Sequence, residues 1–521
     1  MPKSMDKKVN LLSSKIKTAK EISSLIGDLP RKRKVIMCHG NFDVVHPGHI
    51  RHLYYAKSKA DILVASLTAD VHIRKGNHRP YVPEDLRAFN LAALELVDFV
   101  VIDRDPTPVN NLSIIKPDFF AKGYEYTAGG VHAKTQEEID VLNTYGGQVI
   151  FTPGDIVFSS TNIIETSPPT IGPEKLDAVM RMEGISFDDI RRTLKNIAGK
   201  KVLVVGDTIV DTYTHCSMVG GMTKTPTMSV KRERVTSFVG GAGIVSKHLV
   251  AAGADVTFIS VLGDDPMKDF VLRDIQSSGV SADCIIDDSR PTTEKNAIVV
   301  QDYRLLKVDT VDNTPISDKV LNQLVNKIKN YKGDAVAFCD FRHGIFNKST
   351  VPELSSAIPE NLFKVADSQV ASRWGNILEF QGFDLITPNE REARFALGDQ
   401  DSVIRPLASE LYSRANCKTL ILKCGDKGSI TFRSNPPAEH RAFFSLDSFA
   451  GLVKDPVGAG DALLAYSMVS MLSSGNEVIS SIVGAIAAGV LCEIDGNHPV
   501  RPEKVLARIN ALEERLNFST Q

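Results

Sequence analysis

The stretch Gly40-Asn41-Phe42-Asp43-Val44-Val45-His46-Pro47-Gly48-His49 decides how the first part of this chain is read. It follows the apolar run Val35-Ile36-Met37-Cys38, which reads as a buried strand, and precedes Ile50-Arg51-His52-Leu53-Tyr54-Tyr55-Ala56, which reads as a helix. Two imidazoles three residues apart therefore fall where a strand hands over to a helix N-terminus. Unpaired backbone N–H groups and the positive end of the helix dipole converge there, and both favour a phosphate. Gly48 lets the backbone approach a ligand closely. His46 and His49 can donate to oxygens that gain charge during phosphoryl or nucleotidyl transfer. A structural turn or a zinc site is the competing reading, but no third metal ligand at suitable spacing is evident.

His46-Pro47-Gly48-His49 resembles the H-x-G-H signature of the nucleotidyltransferase superfamily. Gly40 to Asp43 is similar to that family's Gly-x-Phe-Asp, and Lys75-Gly76 with Arg79-Pro80 is similar to its phosphate-binding segment, with Arg87 in the helix that follows. Lys122-Gly123-Tyr124-Glu125-Tyr126 resembles a Lys-Gly-x-Asp-Tyr block, with Glu for Asp. Ser159-Ser160-Thr161-Asn162-Ile163-Ile164 resembles a Ser-Thr-Thr-x-Ile-Ile helix cap. The resemblance spans about the first third of the chain, and is nearest to the nucleotidyltransferase half of the bifunctional ADP-heptose synthesis family of lipopolysaccharide assembly. It implies that a substrate phosphate attacks the α-phosphate of a nucleotide and releases pyrophosphate. His46 and His49 would stabilise the charge, and Lys75 and Arg79 would close over the phosphates. Gly40, Phe42, Asp43, Gly48, Lys122, Ser160 and Thr161 would border or bind the nucleotide and its phosphates.

At 521 residues the chain is too long for one ordinary core, which predicts two or three domains. Its 43% hydrophobic and 24% charged residues are ordinary for a globular protein, and a formal charge of −2 gives no reason to expect nucleic-acid or anionic-membrane binding. No apolar run reaches a membrane span and the N-terminus lacks a signal-peptide core. Seven dispersed cysteines without a Cys-x-x-Cys pair suit reduced thiols, so a cytoplasmic protein is expected.

Residues 1–30 read as a basic leader helix. Strand-like Ile62–Leu67, helical Pro83–Leu96 and strand-like Phe99–Ile102 then alternate, which predicts a doubly wound, Rossmann-like α/β domain over 31–167. Pro168-Pro169-Thr170-Ile171-Gly172-Pro173 reads as a linker, and Glu174 to Ala198 as a helix, so 168–195 separates the halves. Lys201-Val202-Leu203-Val204-Val205-Gly206-Asp207 opens a second α/β series over 196–521, with further strands at 256–261, 335–338 and 419–422.

That second half has its own phosphate motif, Asp455-Pro456-Val457-Gly458-Ala459-Gly460-Asp461, followed by a helical pattern. Two glycines at a helix start expose amides that can hold a transferring phosphoryl group, and a carboxylate there can take a proton from an attacking hydroxyl. A loop with an Asp cap is the bland alternative. The full pattern resembles the signature of the ribokinase family of sugar kinases, which implies a ribokinase-like fold, ATP and Mg²⁺, and Asp461 as catalytic base with Gly458, Ala459 and Gly460 holding the phosphate. Asp207 and Asp211 resemble the sugar-binding strand end, and Gly240-Gly241-Ala242-Gly243 the di-glycine substrate segment. Asn389 and Glu392 resemble the Asn-x-x-Glu element linked to Mg²⁺ and phosphate, with Glu392 as the candidate metal-linked residue. Lys423-Cys424-Gly425-Asp426-Lys427-Gly428 resembles the family's nucleotide-contacting Gly loop, which implies a nucleotide contact at Gly425, and Cys339-Asp340-Phe341-Arg342-His343-Gly344 and Asp367-Ser368-Gln369 resemble strand ends of its heptose kinase branch.

Three features depart from the heptose branch, one of them being Gly220-Gly221-Met222-Thr223-Lys224-Thr225-Pro226 in place of a more acidic Ser-Pro-Glu-Ala-Pro type of sequence. Ile244 stands where that branch has Asn, and the nucleotidyltransferase part precedes the kinase part. The combined expectation is a bifunctional enzyme acting on sugar phosphates and nucleotides, with a homodimer implied by the ribokinase resemblance. The alternatives are a CTP-dependent alditol- or sugar-phosphate cytidylyltransferase fused to another sugar kinase, or a kinase half retired to a regulatory module.

Overall fold

The computed structural model describes residues 12–73, 80–123, 133–152, 172–220, 228–301, 303–370, 375–434, 442–451, 453–494, 496 and 498–519. The chain forms two compact units, Met1–Ala178 and Val179–Thr520. The division falls inside the helix Gly172–Met182, and the stretch 168–171 lies outside the described residues.

In the first unit, β1 (Val35–Gly40), β2 (Ile62–Thr68), β3 (Phe99–Asp103), β4 (Phe119–Gly123) and β5 (Gln148–Thr152) form a parallel sheet in the order β3-β2-β1-β4-β5. The apolar runs of β1 and β2 follow from burial on both faces. Ile36, Cys38, Leu63 and Ala65 pack with Leu53, Ala88 and Leu91 on one face. Val35, Met37, Ile62 and Val64 pack with Ile22, Leu112, Ile115 and Leu142 on the other. The expected leader helix is the short helix Ala19–Ile26, closed by a capping box between Thr18 and Glu21.

A buried arginine joins the sheet to its loops. Arg87 is fully buried and donates to the Val82 carbonyl at 2.8 Å, the Thr68 carbonyl at 3.0 Å, the Asn41 carbonyl and the Asp70 carboxylate at 2.5 Å.

The second unit has a nine-stranded sheet. Its order is Ser281–Ala282, β9 (Asp255–Ile259), β6 (Lys201–Gly206), Ala335–Asp340, Phe363–Ser368, Leu385–Ile386, Thr419–Lys423, Ser429–Arg433 and Phe443–Leu446. Only the last two pairings are antiparallel. Phe338, Phe346, Phe380 and Phe383 centre its core, with ring centroids 5.1 to 6.4 Å apart. A separate four-stranded sheet is ordered Tyr303–Thr310, Glu294–Val300, β7 (Thr208–Gly220) and β8 (Ser229–Gly241).

Two expectations need correction. The helix expected over Glu174–Ala198 is two helices, Gly172–Met182 and Phe187–Lys195, because Gly184 takes a left-handed φ of 64° and Ser186 starts a new capping box with Asp189. The helix expected over Pro83–Leu96 ends at Ala92.

Replacing Arg87 with Met breaks its buried ion pair with Asp70 and leaves three backbone carbonyls without their donor. Such a loss costs ~3–5 kcal/mol, so Arg87→Met should unfold at distinctly lower denaturant in equilibrium titrations. The double variant with Asp70→Asn should recover part of that loss.

Candidate active sites

In the first unit the strand order reverses direction about β1, so a crevice opens between the carboxyl ends of β1 and β4. Ligands of open parallel sheets bind at such switch points. The chain leaves β1 at Gly40, and the helix Pro47–Lys57 starts with His46 as its N-cap. His46 Nδ1 accepts from the Gly48 N–H at 3.1 Å, which leaves Nε2 to carry the proton of the neutral ring. The His46 and His49 rings lie 3.9 Å apart between centroids, 31° from parallel, with Phe42 5.1 Å from His49. Burial lowers the pKa of His46, and that of His49 to about 4, with His46 and His52 adding repulsion at His49. Around neutral pH the His49 ring is therefore uncharged and can act as a hydrogen-bonding group.

Asp43 is buried, and its two oxygens accept from the Tyr81 N–H at 3.0 Å and the Val82 N–H at 2.8 Å. It thus anchors the chain just beyond Arg79 to the end of β1. Phe42, with φ 45°, turns its ring into the core. Lys122, near the end of β4, pairs with Glu138 from the helix Ala133–Asn143. Lys75, Arg79, Ser160 and Thr161 lie outside the described residues.

The structure adds His39, whose ring meets Ser66 Oγ at 2.9 Å and Thr68 Oγ1 at 3.2 Å and lies 3.8 Å from Asp103. Burial and Lys122 push His39 down to about 4, and burial raises Asp103 to about 6. A single His closing an apolar strand gives no periodic signal, which is why sequence reasoning passed over it.

In the second unit the helix Ala459–Ser474 begins at Gly458, whose φ of 83° is left-handed and suits glycine. Ala459 and Gly460 form its first turn, followed by Asp461, which is 8% exposed. Burial, then the neighbouring Asp367 carboxylate, pushes Asp461 up to about 7. Asn389 caps the helix Glu390–Leu397, and Glu392 returns the bond. One Glu392 oxygen accepts from the Asn389 N–H and the other from Asn389 Nδ2, both at 2.7 Å. Burial raises Glu392 to about 7. Gly425 opens the short helical turn after Thr419–Lys423.

The two acidic groups proposed for the sugar differ. Asp207 accepts from the backbone N–H groups of Phe341, His343 and Ile345 at 3.0 to 3.4 Å, so its carboxylate organises that loop. Asp211 lies on β7 opposite Lys295, and its Oδ2 stands 2.5 Å from where a β-carbon on Gly240 would be. Gly240 therefore makes room for the Asp211 carboxylate. A β-carbon on Gly241, at φ 60°, would come within 2.5 Å of the Asp207 carbonyl. Ile244 is fully buried in the helix Ala242–Ala251.

The segments beginning at Asp367 and Lys423, far apart in the chain, are joined by an ion pair. Lys423 Nζ lies 3.1 and 3.2 Å from the Asp367 oxygens, and Thr387 Oγ1 donates to Asp367 at 3.2 Å. Among the described residues no group of three or more His, Cys, Asp or Glu side chains is arranged to hold a metal ion. Both Glu392 oxygens are bonded to Asn389, so Glu392 would serve a Mg²⁺ brought in on nucleotide phosphates and would not hold the ion by itself.

Residues 199–493, more than half of the chain, match the profile described as pfkB family carbohydrate kinase, and the chain belongs to that family. Residues 37–166, preceding it, match the profile described as cytidylyltransferase-like. Among named relatives, the chain is 37% identical over 164 residues to Bifunctional protein HldE of Geobacter metallireducens, covering 31% of this chain and 32% of that one. It is 27% identical over 325 residues to Bifunctional protein HldE of Pelobacter propionicus, covering 61% of this chain and 64% of that one. Each of these alignments thus spans less than two thirds of the relative. In fold, the crystal structure of phosphofructokinase-2 from Escherichia coli in complex with substrates and products superposes with a TM-score of 0.50 at 13% identity, covering 60% of this chain and 99% of that one.

His46→Ala and His49→Ala should each lower pyrophosphate release by ~10²–10³-fold, the loss seen when one charge-stabilising donor is removed. Circular dichroism should show the fold retained. In the second unit Asp461→Asn should lower sugar-dependent ADP release by ~10²–10⁴-fold. Because the folded pKa of Asp461 is raised, its base form is lost as pH falls through about 7. A pH profile of kcat/KM for ADP release should therefore fall on the acid side of that value.

Proposed function

We propose that this chain is a bifunctional enzyme of sugar-nucleotide synthesis. Its second unit phosphorylates a sugar or sugar phosphate, such as a heptose 7-phosphate, with ATP, and its first unit joins a sugar 1-phosphate to a nucleotide. The observation that carries this reading is that each unit has a helix start lined by groups suited to phosphate, His46 and His49 in one and Gly458 to Asp461 in the other. The relatives named for bifunctionality support the pairing of the two activities.

In the kinase site Asp461 takes the proton of the attacking hydroxyl, the amides of Gly458 to Gly460 hold the transferring phosphoryl group, and Asp211 holds sugar hydroxyls. Mg²⁺ neutralises phosphate charge when bound with the nucleotide. In the nucleotidyltransferase site the sugar phosphate attacks the α-phosphate in line. His46 and His49 donate to its oxygens, Lys75 and Arg79 bind the outgoing phosphates, and Ser160 and Thr161 hydrogen-bond them. The product is ADP-heptose or a close relative, with ATP as donor. The protein works in the cytoplasm as a homodimer.

The test incubates full-length protein with a panel of sugar phosphates and with ATP or CTP, measuring ADP and pyrophosphate separately. ADP release with a heptose 7-phosphate and pyrophosphate release with ATP and a heptose 1-phosphate are expected. Pyrophosphate formed with CTP alone, or no ADP with any sugar, would sink the corresponding half.

A further inference from the structure

Three neighbouring parallel strands of the second unit, β6, Ala335–Asp340 and Phe363–Ser368, start side by side. Beside their starts lies a cleft of about 730 Å³, with Lys201, Lys329, Tyr331, Lys332, Gly333 and Asp334 among its lining residues. Sites for small organic ligands have volumes of ~300–1,000 Å³. The cleft is separate from the candidate kinase site. Each of these strands is six residues long, and Asp340 and Ser368 stand at the far, carboxyl ends, ~17 Å away at ~3.3 Å per residue.

The lining carries an excess of positive charge. Lys201, Lys329 and Lys332 are exposed, and within the described residues none of their three ammonium groups forms an ion pair or a hydrogen bond. The one carboxylate among the lining residues is Asp334, whose Oδ2 accepts from the Lys201 N–H at 2.7 Å. A cation in the last turn of the helix Asp318–Lys329 offsets the negative end of the helix dipole, which accounts for Lys329. It does not account for Lys201, which opens a strand, or for Lys332, in the turn between that helix and the next strand. Like charges around one concavity repel one another, and an anion brought into it relieves that repulsion.

Tyr331 adds an aromatic wall. A β-carbon on Gly333 would stand 2.5 Å from the Tyr331 ring, so the glycine leaves the turn open for that ring. Burial pushes the Tyr331 phenol up to about 12, which keeps its hydroxyl protonated and able to donate around neutral pH. Aromatic faces stack nucleobases, and ammonium groups bind phosphate oxygens as point charges. An inorganic anion would leave most of the volume unfilled and the ring unused.

We propose that this cleft is a nucleotide-binding site distinct from the candidate kinase site, taking a nucleoside diphosphate, free or as its sugar ester, with the diphosphate on Lys201, Lys329 and Lys332 and the base against Tyr331. Binding here needs neither of the activities proposed above.

The test acylates full-length protein with a lysine-reactive ester and reads each lysine by mass spectrometry, in the presence of ADP, ADP-glucose, inorganic phosphate or sodium chloride at matched ionic strength. Acylation of Lys201, Lys329 and Lys332 should slow about tenfold at a nucleotide concentration about ten times the dissociation constant. Lys319, at the other end of the helix Asp318–Lys329, should not respond. Protection by ADP would support the free diphosphate as ligand, and protection by ADP-glucose alone would support the sugar ester. Lys329→Ala/Lys332→Ala removes two exposed side chains, so it should unfold at the wild-type temperature and abolish the protection of Lys201. No protection by either nucleotide, equal protection by phosphate or by sodium chloride, or undiminished protection of Lys201 in the double variant would overturn the proposal.

Discussion

The first amides of a helix have no partner within it, and each unit of this chain carries such a helix start at its candidate site. In the first unit His46 satisfies one such amide, at Gly48, with its own ring nitrogen. That bond fixes the tautomer of His46 and sets its ring against His49. In the second unit no side chain caps the helix at Gly458, and the Ala459 N–H turns back to the Pro456 carbonyl at 3.2 Å. One chooses a side-chain cap that doubles as a chemical group, the other an uncapped turn. The sheets behind them exist to hold these turns still. β1 and β2 are buried along most or all of their length, and the strands leading to the second site are equally apolar.

Burial has a cost that shapes the second site. Asp461, Glu392 and Asp367 share a region with little water, and burial favours their neutral forms at Asp461 and Glu392. Lys423 opposes this, as does the pair of bonds that Glu392 receives from Asn389. A base poised near neutrality is what proton removal from a hydroxyl requires. The same carboxylates would repel a triphosphate if no cation faced them.

Much of the architecture was legible in the sequence because fully buried parallel strands read as short apolar runs between glycine turns. Val35–Cys38 and Ala335–Phe338 are examples, and each strand extends only two residues beyond the run. The four-stranded sheet was not legible. One of its strands, Tyr303–Thr310, is largely exposed, so neither a continuous apolar run nor a clean alternation marks it. The helix break at Gly184 was hidden because the apolar positions on either side keep helical spacing. At the sites, local motifs placed His46, His49 and Asp461 from neighbouring residues alone. Asp367 and Lys423 come from separate strands and meet only through the sheet register, which no spacing along the chain encodes. Asp43 and Asp207 were legible as acidic residues at strand ends, but their partners are backbone amides from distant loops, so their organising role was not.

The anchoring of Asp70, Tyr81 and Val82 has a consequence for how local stability is shared in the first unit. The Asp70 amide is held by Glu84 at 2.6 Å and its carboxylate by Arg87, while Asp43 holds Tyr81 and Val82. Glu84 and Arg87 both stand on the helix Glu84–Ala92, so one helix grips Asp70 twice, by its amide and by its carboxylate. Losing either bond alone leaves the other in place, and the two are lost together only if the start of that helix unravels.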